Sequence, residues 1–263
     1  MRTALFDALW EDFLLRLCPS ARRIHQLLME GEPLRNDHIA LRTFNLPEVG
    51  LDTVAAPFIH LGYERKGEYL FEQKKLVAEH FEHPDPDAPK VFISELQIGK
   101  CSAELQMAVR GLVAQLDVAL DVEGRFLTSG RTWTLSTETY QLLAAESEYA
   151  AWVAAHGFGA NHFTVDVAQL STFSDLERLN EYLAANGFVL NGAGGEVKGS
   201  PEVMLEQSAT MADQVCVIFD DTELRVPGGF YEFAKRYPQP NGELYQGFVT
   251  ASADKIFEST ARG

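Results

Sequence analysis

One local design occurs twice in this chain, and the repetition constrains its fold more than any other feature. Asn36-Asp-His-Ile-Ala-Leu-Arg-Thr-Phe44 alternates with a period of two. Ile39, Leu41 and Thr43 fall on one face of a strand, and His38, Ala40, Arg42 and Phe44 fall on the other. Asn161-His-Phe-Thr-Val-Asp-Val167 reads the same way, with Phe163, Val165 and Val167 on an apolar face and His162, Thr164 and Asp166 opposite. A helical stretch follows each strand, to His60 in the first half and over 176–186 in the second, and each ends in Gly plus an aromatic, Gly62-Tyr63 and Gly187-Phe188. The two histidines are 124 residues apart (162 − 38) and the two glycines 125 (187 − 62).

Three strands are predicted after each helix. In the first half they are 63–71, 75–82 and 90–96, separated by turn-rich pieces of which His83-Pro-Asp-Pro-Asp-Ala-Pro89 is the clearest. In the second half they lie near 202–207, 214–219 and 230–233. The predicted fold class is α+β, with two β-α-β-β-β units whose resemblance to the vicinal oxygen chelate architecture implies a cupped mixed sheet around a metal site. The repeats cover approximately 36–96 and 160–234, within a single domain over 1–263. Residues 101–118 and 138–156 are rich in Ala, Leu, Gln and Glu and are predicted helical, so 101–156 reads as a helical insert. Residues 121–135 give no clear reading. A further helix is predicted over 4–30, broken at Pro19, and 191–200 reads as a glycine-rich loop. Two such units side by side resemble the vicinal oxygen chelate, or glyoxalase-like, architecture, which implies ligands from the first strands and a last strand.

Charge and cysteine content narrow the partners. Lys plus Arg is 22 against 38 Asp plus Glu, a formal net charge of −16. Nucleic acid and an anionic membrane surface are not expected partners, because the chain lacks the basic footprint that phosphates need. No run of 18 apolar residues is present. Acids interrupt the apolar residues of MRTALFDALWEDFLLRLCPS, so it does not read as a signal peptide. Cys18, Cys101 and Cys216 are odd in number and far apart, which gives neither a disulfide framework nor a zinc motif, and a reducing cytoplasm fits.

The residues that could carry chemistry are His38, His162 and Glu232. Each sits on a strand whose opposite face is apolar, so all three are expected on the concave side of the sheet. Two imidazoles and one carboxylate leave three open positions on an octahedral iron, which suits a chelating substrate plus dioxygen. Fe(II) in that set keeps a net charge of +1, which attracts an anionic chelator. Aligning Phe92-Ile-Ser-Glu95 with Phe230-Tyr-Glu232 makes Glu95 the repeat-mate of Glu232, hence a reserve ligand or a group supporting the ligands. His80 is a candidate to line the cavity, although it and His83 point to opposite faces of a strand and are not expected to ligate together. His25, His60 and His156 lie in helical regions and read as surface or packing residues.

Four segments resemble a known family: Asp37-His-Ile-Ala-Leu-Arg-Thr-Phe44, Asn161-His-Phe-Thr164, Glu206-Gln-Ser-Ala-Thr-Met-Ala-Asp213 and Gly228-Gly-Phe-Tyr-Glu-Phe-Ala-Lys-Arg236. They are similar to the signature segments of the 2-oxoadipate dioxygenase/decarboxylases, also called D-2-hydroxyglutarate synthases. Tyr245-Gln-Gly-Phe-Val-Thr-Ala-Ser-Ala-Asp254 is similar to the closing segment of that family's short members. The resemblance implies a non-haem Fe(II) enzyme with His38, His162 and Glu232 as ligands and Arg42 as a catalytic, substrate-binding residue. It implies conversion of 2-oxoadipate and O2 to 2-hydroxyglutarate and CO2, late in lysine catabolism. A crystal could carry Zn or Ni in place of iron. The chain is shorter than the family's characterised type, so another 2-oxo acid remains open as substrate. Two other function classes fit the same residues. One is a glyoxalase-like isomerase or hydrolase using Zn or Ni with Glu95 as fourth ligand, and the other is a metal-free binding protein.

Overall fold

A computed structural model describes residues 2–29, 34–173 and 175–260 of the chain. At the N-terminus, α1 (Arg2–Asp12) runs into a π-helical turn, Phe13–Leu17, which stops at Cys18 and Pro19 before α2 (Ser20–Leu28). The helix expected over 4–30 is therefore interrupted where proline removes a backbone donor, and residue 30 lies outside the described residues. The apolar stripe of this segment covers the convex face of the sheet. Trp10 and Phe13 set their rings 5.0 and 5.1 Å from that of Phe163. Burying an aromatic of this size stabilises by about 2–3 kcal/mol, so the segment is firmly held.

The first repeat comprises β1 (Asn36–Phe44), α3 (Leu51–His60), β2 (Glu64–Phe71), β3 (Leu76–Glu82) and β4 (Lys90–Leu96). The insert carries α4 (Ala103–Val113), α5 (Thr137–Glu146) and α6 (Glu148–His156). Between α4 and α5 the only regular piece among the described residues is a 3-10 turn at Arg125–Thr128. The stretch 138–156 is two helices rather than one. Ser147 divides them, and its hydroxyl accepts from the Ala150 N–H at 3.1 Å as the cap of α6. Gly157 then ends α6 at φ +63°, pressed against the backbone of Gly130, where a Cβ would come within 2.3 Å of the carbonyl oxygen.

The second repeat starts with β5 (Ala160–Asp166) and α7 (Leu176–Ala185), then β6 (Lys198–Ser200) and β7 (Leu205–Ala209). Next come β8 (Gln214–Ile218), β9 (Glu223–Pro227) and β10 (Phe230–Arg236), and α8 (Thr250–Ile256) follows. Eight strands form one mixed sheet in the order β2-β3-β4-β1-β5-β10-β7-β6. β1 is parallel to β4, β5 is parallel to β10, and β1 and β5 run antiparallel at the centre. The expected α+β fold with a cupped mixed sheet is observed. One strand belongs elsewhere: 214–219, expected in the sheet, pairs only with β9 as a separate hairpin. Its alternation leaves Gln214, Cys216 and Ile218 exposed, so it has one face to bury and no need of a layer on the other.

Candidate metal centre

The pairing register explains how three distant residues meet. His38 on β1 lies opposite Thr164 on β5, and Thr164 lies beside Glu232 on β10, a row across three neighbouring strands. His162 is two residues back on the middle strand, hence on the same face. One ligand atom from each of His38, His162 and Glu232 lies within 4.8 Å of the other two. His162 Nε2 is 3.1 Å from Glu232 Oε2, and His38 Nε2 is 3.6 Å from Oε1. All three residues are buried.

The residue before each histidine sets its tautomer. Asp37 Oδ1 accepts from His38 Nδ1–H at 2.7 Å, and Asn161 Oδ1 accepts from His162 Nδ1–H at 3.0 Å. Protons on both Nδ1 atoms leave both Nε2 lone pairs directed at the carboxylate. Burial, partly opposed by Asp37, lowers the His38 pKa, and burial with the neighbouring His38 charge holds His162 well below its usual value, so both rings are neutral. Burial also pushes the Glu232 carboxyl up to about 8, although Gln207 Nε2 donates to its Oε1 at 2.6 Å. Glu232 Oε2 is buried with no hydrogen-bond partner. Thr164 Oγ1 lies 3.1 Å from His38 Nε2, and the two imidazole nitrogens and the carboxylate converge on one point, an arrangement that a cation suits. The donor set fits a divalent transition metal, with two imidazole nitrogens and one carboxylate.

Arg42 shares this face, four residues beyond His38. It is buried and donates through Nη1 to Thr260 Oγ1 at 3.1 Å, while its Nε–H has no partner. The rings of Tyr149, Trp152 and Phe257 surround the guanidinium at 5.1, 5.2 and 5.4 Å. Among the described residues no carboxylate forms an ion pair with it, and burial lowers its pKa to about 10. Arg42 lines the same cavity as His38, His162 and Glu232, whose other walls include Phe92, Phe248 and Ile256. Four buried polar atoms without partners belong to residues of this cavity: Arg42 Nε, Asn161 Nδ2, Gln207 Oε1 and Glu232 Oε2.

Two candidates lie elsewhere. Glu95 is not in the cavity. Its carboxylate accepts from the Leu51 N–H at 2.9 Å, at the start of α3, and from Asn45 Nδ2 at 2.6 Å. The register gives the reason. Lys90 lies beside His38 as Phe230 lies beside His162, so the position equivalent to Glu232 is Phe92, not Glu95. His80 does not line the cavity either. It is hydrogen-bonded to Tyr69 and Glu82, both at 2.9 Å, and sits behind Phe248 with ring centroids 5.4 Å apart. Sequence reasoning missed Asp37, Asn161 and Gln207 as supports. A signal was present for two of them, since each histidine follows a residue whose side chain accepts hydrogen bonds.

Comparison with known proteins agrees with this geometry. The profile of the family described as 2-oxoadipate dioxygenase/decarboxylase matches residues 19–242. The chloroplastic 2-oxoadipate dioxygenase/decarboxylase of Arabidopsis thaliana is 35% identical over 95% of this chain and 75% of its own length. The crystal structure of the hydroxyglutarate synthase of Oryza sativa in complex with 2-oxoadipate is 33% identical and covers 99% of this chain and 91% of that one, at a TM-score of 0.89. A Shewanella frigidimarina protein that bears a provisional hydrolase label is 56% identical, covers 95% of this chain and 98% of its own, and gives a TM-score of 0.91. On the family profile and the plant relatives together, this chain belongs to the 2-oxoadipate dioxygenase/decarboxylase family.

Proposed function

We propose that this protein is an Fe(II)-dependent 2-oxo acid dioxygenase/decarboxylase, holding its metal through His38 Nε2, His162 Nε2 and the Glu232 carboxylate. In the proposed reaction 2-oxoadipate and O2 give 2-hydroxyglutarate and CO2, with both oxygen atoms retained in the products, as a late step of lysine catabolism in the cytoplasm. The observation that carries this reading is the convergence of two imidazole nitrogens and one carboxylate beside a buried arginine that, among the described residues, forms no ion pair with a carboxylate. Bound iron would supply adjacent positions for a chelating 2-oxo acid and for dioxygen, together with the redox chemistry of the step.

The chain's own residues do the rest. Asp37 and Asn161 hold the imidazoles in the ligating tautomer, and Gln207 holds the carboxylate. Arg42 receives a substrate carboxylate in its planar fork. Phe92, Phe248 and Ile256 pack against a methylene chain and keep water from the reacting centre. The rice relative's complex with 2-oxoadipate supports the substrate class. The isomerase or hydrolase reading is less well supported, because it drew its fourth ligand from Glu95, which caps α3 instead.

Anaerobic reconstitution with Fe(II), followed by oxygen uptake over a panel of 2-oxo acids, tests the reading. One O2 consumed and one CO2 released per 2-oxoadipate is the expected result. Turnover of any panel member without oxygen uptake would replace it with the hydrolase class.

A further inference from the structure

The end of β10 at Arg236 has no part in the reaction as derived so far, and the segment Tyr245–Phe248 enters it only through the Phe248 ring. One side chain joins them. Arg236 is buried, and its Nε and Nη2 donate to Asp37 Oδ2 and Oδ1 at 2.6 and 2.9 Å. Its Nη1 donates to the carbonyls of Tyr245 and Gly247 at 3.0 and 2.7 Å. The guanidinium also lies 5.1 Å from the centre of the Phe248 ring, which stands edge-on to His38 at 4.8 Å and packs on Phe92 at 5.0 Å. Asp37, held from one side by Arg236, accepts the Nδ1 proton of His38 from the other.

We propose that Arg236 is a positioning residue that couples the alignment of His38 to the placing of Phe248 over the cavity. A guanidinium can do both at once because its donors point in fixed and different directions. One edge grips a carboxylate bidentately while the remaining nitrogen serves two carbonyls. Lysine has a single nitrogen and cannot span both sets. Loss of the Asp37 contact frees the carboxylate to turn, and His38 loses the partner that fixes its ring and tautomer. Loss of the carbonyl contacts releases the turn that carries Phe248. The coupling runs in both directions, so a metal bound at His38 tightens the 245–248 turn.

This inference rests on the metal centre proposed above, and its test needs no turnover. Mn(II) affinity of the apoprotein is measured by the EPR signal of the free ion, and amide hydrogen exchange is followed along the chain. Arg236→Gln should weaken Mn(II) binding about 10- to 100-fold and speed exchange at 245–248, with β1 and β5 still protected. Arg236→Lys should restore much of the Mn(II) affinity by pairing with Asp37 but leave 245–248 in fast exchange. Wild-type affinity in Arg236→Gln, unchanged exchange at 245–248, or recovery of both by lysine overturns the proposal. If Arg236→Gln does not fold, Asp37→Asn keeps the shape without the charge, and the same two losses are expected or the proposal falls. Wild type that binds Mn(II) but does not consume oxygen with any 2-oxo acid refutes the reaction and leaves the positioning role to be decided by the variants. Wild type that binds no metal refutes both.

Discussion

Replacing Arg42 with methionine should cut activity sharply while leaving the stability of the apoprotein nearly unchanged. Its pKa, lowered from 12.5 to about 10 by burial, puts the cost of holding the charge at this buried position at about 3 kcal/mol, since one unit corresponds to about 1.4 kcal/mol. Contacts with three rings return about 0.5–1 kcal/mol each, and the Thr260 hydrogen bond about 1.5 kcal/mol. These terms nearly cancel. Methionine keeps the apolar stem, so Arg42→Met should change apoprotein stability by no more than about 1.5 kcal/mol in either direction. The substrate complex differs, because a carboxylate would lose its partner in a desolvated site, at about 2–5 kcal/mol. That corresponds to a fall in kcat/KM of about 30- to 4,000-fold. Urea unfolding of the apoprotein gives the first quantity, and oxygen uptake with 2-oxoadipate and 2-oxohexanoate gives the second. A stability loss of about 3 kcal/mol or more, as expected for one half of a buried structural ion pair, with activity otherwise intact, would refute the argument. Equal losses for the two substrates would mean that Arg42 does not read the distal carboxylate. Arg42→Lys should raise KM markedly, because charge without the fork is insufficient, and metal content should be unchanged in both variants.

Glu232→Ala should lose most bound iron and nearly all turnover while the fold persists, with Glu232→Asp retaining some metal; metal analysis and thermal melting check both. Glu95→Ala should do the reverse, keeping metal stoichiometry while costing about 1–3 kcal/mol in unfolding experiments, because the Leu51 N–H is left without an acceptor. Metal binding should release about one proton near pH 7, because Glu232, pushed up to about 8, is protonated in the apoprotein and must ionise to ligate. Mn(II) affinity should therefore climb from pH 6 to about pH 8 and level off above that. Calorimetry in buffers of different ionisation enthalpy measures the release, and an affinity independent of pH over that range would rule it out.

The central strands were readable because each has a mostly apolar face, Ile39 and Leu41 in one and Phe163 and Val165 in the other, so the facing of His38 and His162 follows from alternation. The partner of Glu232 was misread because sequence alignment matched residue types, Glu to Glu. The sheet instead aligns by register, which puts Phe92 there. A similar limit applies to 214–219: alternation identifies a strand but does not say which sheet receives it. Gln207 reaches Glu232 across 25 residues and Arg236 reaches Asp37 across 199, through hydrogen bonds that leave no periodic trace. Asp37 and Asn161 were visible as letters, but their use depends on a ring nitrogen whose direction the sequence does not encode.

The exchange of Glu for Phe at equivalent positions has a stereochemical consequence. β1 with β4 and β5 with β10 are related by a near two-fold axis, which pairs His38 with His162 and Phe92 with Glu232. A perfectly two-fold pocket presents the same surroundings in two opposite directions, so a small flexible acid could lie in it either way round. Here one direction meets a carboxylate and the other a phenyl ring. The axis is broken at the atoms closest to the centre, and the two faces of a bound planar keto carbon become inequivalent. A hydroxyl delivered in such a pocket arrives at one face only, and a single enantiomer of the hydroxy acid is the expected product.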